Sequence, residues 1–457
     1  MHHFCTCACS ALAVSIFAGS VSAGTGNQLF KLLPDNGAAD DEFGTSVGVS
    51  GSIAVVGSLR ADNGASNTGA AYLFDVVTGL QMAQLVSAAT DANDQFGGAV
   101  AISGQTAVVG AQQNNVNGSG AGTVYVFSTA TGALIHTLLA NDTTGSEAFD
   151  LFGGAVGIDG QTVVIGAVGA NSAGAQAGAA YIFDAMTGMQ SARIAPASLS
   201  AGDRFGGAVA ISGDIAVIGA VGDDENGSNA GAAYIYHTIT QSLTRITPDD
   251  AQAGDEFGSA VAIDDGIAII GAQSDDDNGS QAGSAYVYDT ATGQFLFKLL
   301  TDDGISNDRF GASASISGTT AVVGAFATDG AGGNSGSAYL FDTTTGLQFA
   351  QITADDAASN DEFGTAVAID GDSIVIGAHE DTNANGSDAG AAYAFGASSP
   401  PCLGDCDDSG TINFNDLVSM LFEFGNPTPS DECNADGVGI VDFNDLVATL
   451  FLFGPCP

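Results

Sequence analysis

A Phe-Gly dipeptide recurs through most of the chain, at Phe43, Phe96, Phe152, Phe205, Phe257, Phe310 and Phe363. Successive copies lie 52 to 56 residues apart. A period near fifty restricts the chain to an architecture assembled from one repeated unit, a solenoid or a propeller, because a single unit cannot bury its apolar face alone. The copy from Asp255 to Asp289 reads DEFGSAVAIDDGIAIIGAQSDDDNGSQAGSAYVYD. With the residues that follow, it resolves into four short runs bounded by turn signals: Gly258–Ile263, Gly266–Gly271, Ser284–Asp289 and Gln294–Leu300. Thr-Gly closes the third turn at Thr78, Thr131, Thr187, Thr292 and Thr345, while Thr240-Gln241 breaks the pattern in the fourth copy.

These runs are apolar on both sides. Val209 and Ile211 alternate with Ala208 and Ala210, so neither face is patterned for water. Two buried faces fit a sheet packed between neighbouring sheets, and small residues fit sheets that approach closely. Propeller blades meet both demands. The Phe of each Phe-Gly pair is expected to anchor a blade core.

Phase supplies a closure argument. A run at Gln28–Leu33 (QLFKLL), matching QFLFKLL at Gln294–Leu300, precedes the first copy, whereas the seventh stops after its third strand, Ala391–Phe395. The surplus strand at one end fills the vacancy at the other, closing a ring and removing two open sheet edges. The expected fold is all-β: a seven-bladed propeller of four-stranded blades over residues 27–396. A small α-helical calcium-loop module over 402–457 follows a Pro-rich linker, 397–401.

Charge is the second constraint. The chain carries 52 acidic against 7 basic residues, a net charge of −45. That excludes nucleic acid, whose phosphates need Lys and Arg, and disfavours anionic membrane surfaces. Partners are expected among cations, basic proteins or neutral molecules. Alternation of strand direction assigns the two-to-three and four-to-one connections to one rim, which collects 32 of the 52 acids. An unidentified ligand is expected at that rim. Its Asp- and Asn-Gly-rich connections otherwise read as turn formers that decorate the surface.

The N-terminus reads as an export signal over 1–23, with an apolar core Ala11–Gly19 and small residues Val21-Ser22-Ala23 at the cleavage point. No other apolar run approaches the roughly 20 residues of a spanning helix, so no membrane span is expected and the protein is placed outside the cytoplasm. The four cysteines beyond the signal, Cys402, Cys406, Cys433 and Cys456, all lie in the last 56 residues and read as disulfide staples. Three pairings are open, with a preference for Cys402–Cys456 and Cys406–Cys433.

The repeats resemble the FG-GAP repeats of integrin α-chain heads and of secreted bacterial proteins. The resemblance rests on Phe-Gly followed by a strand ending in Gly-Ala, at Gly110, Gly166, Gly219, Gly271, Gly324 and Gly377, with Gly57-Ser58 in the first copy. It implies a seven-bladed propeller closed by an N-terminal strand. Integrin-type repeats often carry an Asp-x-Asp-x-Asp-Gly calcium loop between those two strands. Here that connection is a tight turn, and the acids lie one connection later, as at Asp223–Gly227 and Asp275–Gly279.

The tail holds two similar segments, DCDDSGTINFNDLVSMLFEFG and NADGVGIVDFNDLVATLFLFG. In the first, Asp405, Asp407, Ser409, Thr411, Asn413 and Asp416 stand at loop positions one, three, five, seven, nine and twelve, with Gly410 at the sharp turn. This is the oxygen-donor spacing of a calcium loop. The second loop offers Asn434, Asp436, Asp442 and Asp445 but has Val438 at position five, which makes it weaker. A calcium loop followed by one helix, duplicated, resembles a dockerin domain. That likeness implies a cohesin-like protein partner, contacted through loop positions ten and eleven, here Phe414-Asn415 and Phe443-Asn444.

No catalytic constellation is evident. Two functions are weighed: an exported non-catalytic binding, adhesion or scaffold protein, or an extracellular carbohydrate-active enzyme, a propeller hydrolase or lyase, carrying a dockerin. The chain lacks Trp, and all nine Tyr fall on third strands, which leaves no loop platform of Trp or Tyr for stacking sugars. His379, beside Glu380 and Asp381 on the acidic rim, is the one candidate metal ligand or acid–base group.

Overall fold

The computed structural model describes residues 27–87, 91–141 and 148–396, together with two short strands at Thr411–Ile412 and Gly454–Pro455. Residues 27–396 form seven antiparallel sheets of four strands. Among the described residues there is no helix, and hence none long and apolar enough to cross a membrane. Blade five consists of Phe257–Asp264, Ile267–Ala272, Ser284–Asp289 and Gln294–Leu299, within a residue or two of the expected runs. Its first strand starts earlier, because a bulge between Phe257 and Val261 keeps Phe257 paired with Ala272.

Blade seven is completed from the other end of the chain. Gln28–Leu32 pairs antiparallel with Ala391–Gly396, setting Lys31 opposite Tyr393 and Leu32 opposite Ala392. The ring is closed by this strand, as its phase predicts.

Two-sided burial has a direct cause. Adjacent residues of one strand enter different cores: Ile270 packs in the cluster shared by blades four and five, and Ile269 in the one shared by blades five and six. Each repeat Phe is 0–2 % exposed and meets a third-strand Tyr edge-on or tilted, as Phe257 does Tyr286 at 5.4 Å between ring centroids.

The conserved spelling of the two dipeptides comes from contact between neighbouring blades. A Cβ on Gly271 would overlap the carbonyl oxygen of Gly311 in the next blade, and one on Gly377 that of Gly44 across the closure. Phe-Gly and Gly-Ala are thus two halves of one backbone contact, repeated around the ring. A parallel bridge from Gly283 to Phe310, and its equivalent from Gly390 to Phe43, adds main-chain hydrogen bonding at the same seams.

The expected signal segment, the linker, the cysteines and the calcium-loop residues Asp405, Asp407, Ser409, Asn413, Asp416, Asn434, Asp436, Asp442 and Asp445 lie outside the described residues. So do Phe414, Asn415, Phe443 and Asn444. Thr411–Ile412 is described only as a strand, pairing antiparallel with Gly454–Pro455.

Candidate functional site

The acidic rim is more ordered than a set of solvated turns. In every blade an Asp stands two residues before the Phe: Asp41, Asp94, Asp150, Asp203, Asp255, Asp308 and Asp361, each 0–5 % exposed. In six of them Oδ2 accepts the backbone N–H three residues upstream at 2.6–2.8 Å, as Asp255 does from Gln252. The residue between Asp and Phe adopts positive φ in all seven blades, from Glu42 at 52° to Arg309 at 61°. The strain is accepted because it turns the Asp inward and the Phe into the core. Burial raises the pKa of Asp41, Asp94, Asp203, Asp308 and Asp361, and that of Asp255 from 3.8 to about 6.

A second layer lies in the two-to-three connections and corrects the view that these acids only decorate the surface. Asp223, Asp275 and Asp381 are buried, and each faces a basic side chain on strand four of its own blade. Arg245 Nη2 donates to Asp223 Oδ1 at 2.7 Å. Lys298 Nζ donates to Asp250 at 2.8 Å and Asp275 at 3.0 Å, and also to Asp277. Lys31 Nζ donates to Asp356 at 2.7 Å and Asp381 at 2.9 Å. Third-strand tyrosines complete the latter two clusters: Tyr286 donates to Asp275 at 2.7 Å and Tyr393 to Asp381 at 2.8 Å. Burial opposes charging Lys298, yet its hydrogen bonds to three carboxylates prevail and raise its pKa. Asp250 is desolvated too, but the same lysine holds its carboxyl below the ordinary value.

In these clusters the carboxylates already hold an arginine or lysine side chain. Calcium in the connections of blades four, five and seven would have to displace an arginine or a lysine. Among the described residues no three or more His, Cys, Asp or Glu side chains are grouped to hold a metal.

The candidate at His379 is rearranged. Its Nε2 lies 3.6 Å from Glu362 and 3.7 Å from Glu380, while Asp381 turns away to Lys31 and Tyr393. Glu362 and, across the closure seam, the Glu42–Arg60 pair at 2.6 Å are the neighbours that sequence proximity did not reveal. Burial, and then the charge of Arg60, lowers the His379 pKa, so the ring is neutral. Burial, and then repulsion from Glu380 and Glu42, raises that of Glu362. The group is a partly buried acidic seam with a neutral imidazole.

The opposite mouth of the channel is a funnel of about 630 Å³ above a ring of Ile and Val side chains. Ser50, Ser103, Asp159, Asp264, Ser317 and Asp370 stand around it and accept a turn N–H from the following blade at 2.6–3.1 Å. These are blade-to-blade clasps.

The FG-GAP repeat model matches seven times, at residues 27–74, 80–127, 135–183, 189–236, 241–288, 296–341 and 347–395. Each match begins near the fourth strand of one blade and ends on the third strand of the next, the offset that places Gln28–Leu32 in blade seven. No curated protein matches the chain. With seven matched units that cover most of its length and build seven blades, the chain belongs to the FG-GAP repeat family.

Proposed function

We propose that this is an exported, non-catalytic binding or scaffold protein. In this reading the acidic face of the propeller is its interaction surface, and the dockerin-like tail is a calcium-dependent attachment to a cohesin-like partner. One observation carries the reading of the propeller: beside the buried, paired acids, exposed carboxylates such as Asp224 and Asp276 are each held at 2.6 Å by a main-chain N–H of their own connection, which fixes negative charge on this face. A fixed field attracts cationic partners and steers their approach. At His379 the carboxylates of Glu362 and Glu380 stand 3.6 and 3.7 Å from Nε2 and the buried Nδ1 has no hydrogen-bond partner, so no carboxylate orients the ring as a base.

Three measurements test this. Binding of a basic protein to the full chain is expected to weaken steeply as salt rises, as exposed charges are screened. Turnover of a polysaccharide, abolished by Glu362→Gln or His379→Asn, would overturn the non-catalytic reading in favour of a carbohydrate-active enzyme. For the tail, calorimetric titration with calcium is expected to show a site that Asp405→Ala with Asp407→Ala removes. Unchanged heats in that variant would reject the loop.

A further inference from the structure

Blade five differs from four of its siblings on its outer flank, and blades two and four carry Leu134 and Leu243 at the position concerned. In blades one, three, six and seven, strand four carries Gln81, Gln190, Gln348 and Gln28 at one register position, opposite Phe74, Phe183, Phe341 and Phe395. Each Gln straps down the connection that enters its own blade. Its Oε1 accepts the N–H of Asp35 at 2.9 Å, Asn141 at 2.9 Å, Asp302 at 3.2 Å or Asp355 at 3.0 Å. In blade five that position is Phe295, opposite Tyr288. A phenyl ring accepts no such bond, and a cavity of about 370 Å³ lies between the ring and the entering connection.

Its walls are Pro248, Tyr286, Tyr288 and the half-exposed Phe295, with Asp249 and Asp250 at the connection. Tyr288 is the second departure, because five blades have Phe there. It is 2 % exposed, and its hydroxyl is buried without a hydrogen-bond partner. Leaving a buried hydroxyl unpaired costs about 1–3 kcal/mol, a cost that the Phe of five blades avoids. Lys298 already occupies Asp250, whereas Asp249 is exposed and makes no ion pair among those described.

We propose that this cavity binds a primary ammonium or guanidinium group on an apolar stem, the chemistry of a lysine or arginine side chain. The charged head sits at Asp249 and the Tyr288 hydroxyl, and the stem lies between Pro248 and the ring of Phe295. The Tyr288 and Phe295 rings favour a cation, the Tyr286 ring being already covered by Lys298 Nζ at 5.0 Å; the carboxylate fixes its sign, and the unpaired hydroxyl can accept its N–H. The site lies where the outer flank of one blade meets the acidic rim, so it deepens the acidic-face reading; agmatine binding tests this cavity, and salt-dependent binding of a basic protein tests the rim, so the two can fail separately.

The test is calorimetric titration of the full chain with agmatine, with a blocked Gly-Gly-Arg-Gly-Gly peptide, and with glucose as the neutral comparator. Agmatine is expected to bind one site. Phe295→Gln, which installs the strap found in four other blades, should weaken binding about tenfold, equivalent to the 1.4 kcal/mol of one decade, with the melting temperature retained. Tyr288→Phe should weaken it about fivefold, the worth of one neutral hydrogen bond. A peptide that binds tighter than agmatine identifies a presented side chain as the source, and equal affinities identify a free small cation; both support the site. Absence of agmatine binding, agmatine binding unchanged in Phe295→Gln, or glucose binding in its place would overturn it.

Discussion

At the scale of single residues, the repeat is spelled by contacts between blades. Gly271 lies against the Gly311 carbonyl oxygen, backbone that cannot yield as a side chain would. Gly271→Ala is therefore expected to cost about 1–3 kcal/mol by overpacking, read as a lower denaturation midpoint. Asp255 gives a pH prediction. Its folded pKa is raised to about 6 from 3.8, so the native state binds the proton more tightly across that window. Stability from this group then grows as pH falls from about 6 towards 4 and is lost as pH rises through the folded value. Asp41, Asp94, Asp203, Asp308 and Asp361 are shifted the same way, with burial as the leading cause. The melting temperature should be higher at pH 5 than at pH 7.5. Asp255→Asn, which keeps the acceptor for Gln252, should raise it at pH 7.5 and flatten the profile. The recurrence of this Asp was visible in the chain. Its burial was not, because the residue stands in a connection as acidic and polar as its solvated neighbours and is turned inward only by the positive-φ residue after it.

At the scale of strands, an internal correspondence ties connection to blade edge. Where the two-to-three connection buries an Asp, strand four carries a cation: Asp223 with Arg245, Asp275 with Lys298, Asp381 with Lys31. Where that site is Asn114 or Thr328, strand four has Thr137 or Gln351 at the same register, opposite Tyr125 and Tyr339. Arg193, in a blade with Ala170 at that site, lies over the Tyr181 ring instead, 5.9 Å from its centroid. In blade seven this pairing bears on the whole ring, because Lys31 belongs to the closing strand. Lys31→Met leaves Asp381, whose side chain is 2 % exposed, without its counter-charge. Removing one partner of a buried pair costs roughly 3 kcal/mol or more. The expected result is a lowered unfolding midpoint, with faster amide hydrogen exchange at Ala392 and Ala394, across from the closing strand. Unchanged exchange there would separate the ion pair from closure.

For the whole molecule, a net charge of −45 opposes compaction, and most of the acid shares one rim. Salt should therefore raise the melting temperature as self-repulsion is screened. Specific pairs such as Lys298 with Asp275 are partly buried and should respond less. The number of blades, the strand that closes the ring and the rim that collects the acid were all legible in the chain. Each follows from local periodicity, strand alternation and phase, which a linear sequence records directly. The partners of its charged groups were not legible. Arg60 acts on His379, and Glu42 on Glu362, only because the first blade seals against the seventh, and the cavity beside Phe295 lies where blade five carries a ring in place of the glutamine that straps the connection in four siblings. Such contacts join residues tens to hundreds of positions apart, across seams whose geometry the closed ring sets. The repeat fixes the fold through short-range pattern, while the chemistry of its surfaces is decided where the copies differ and face one another in space.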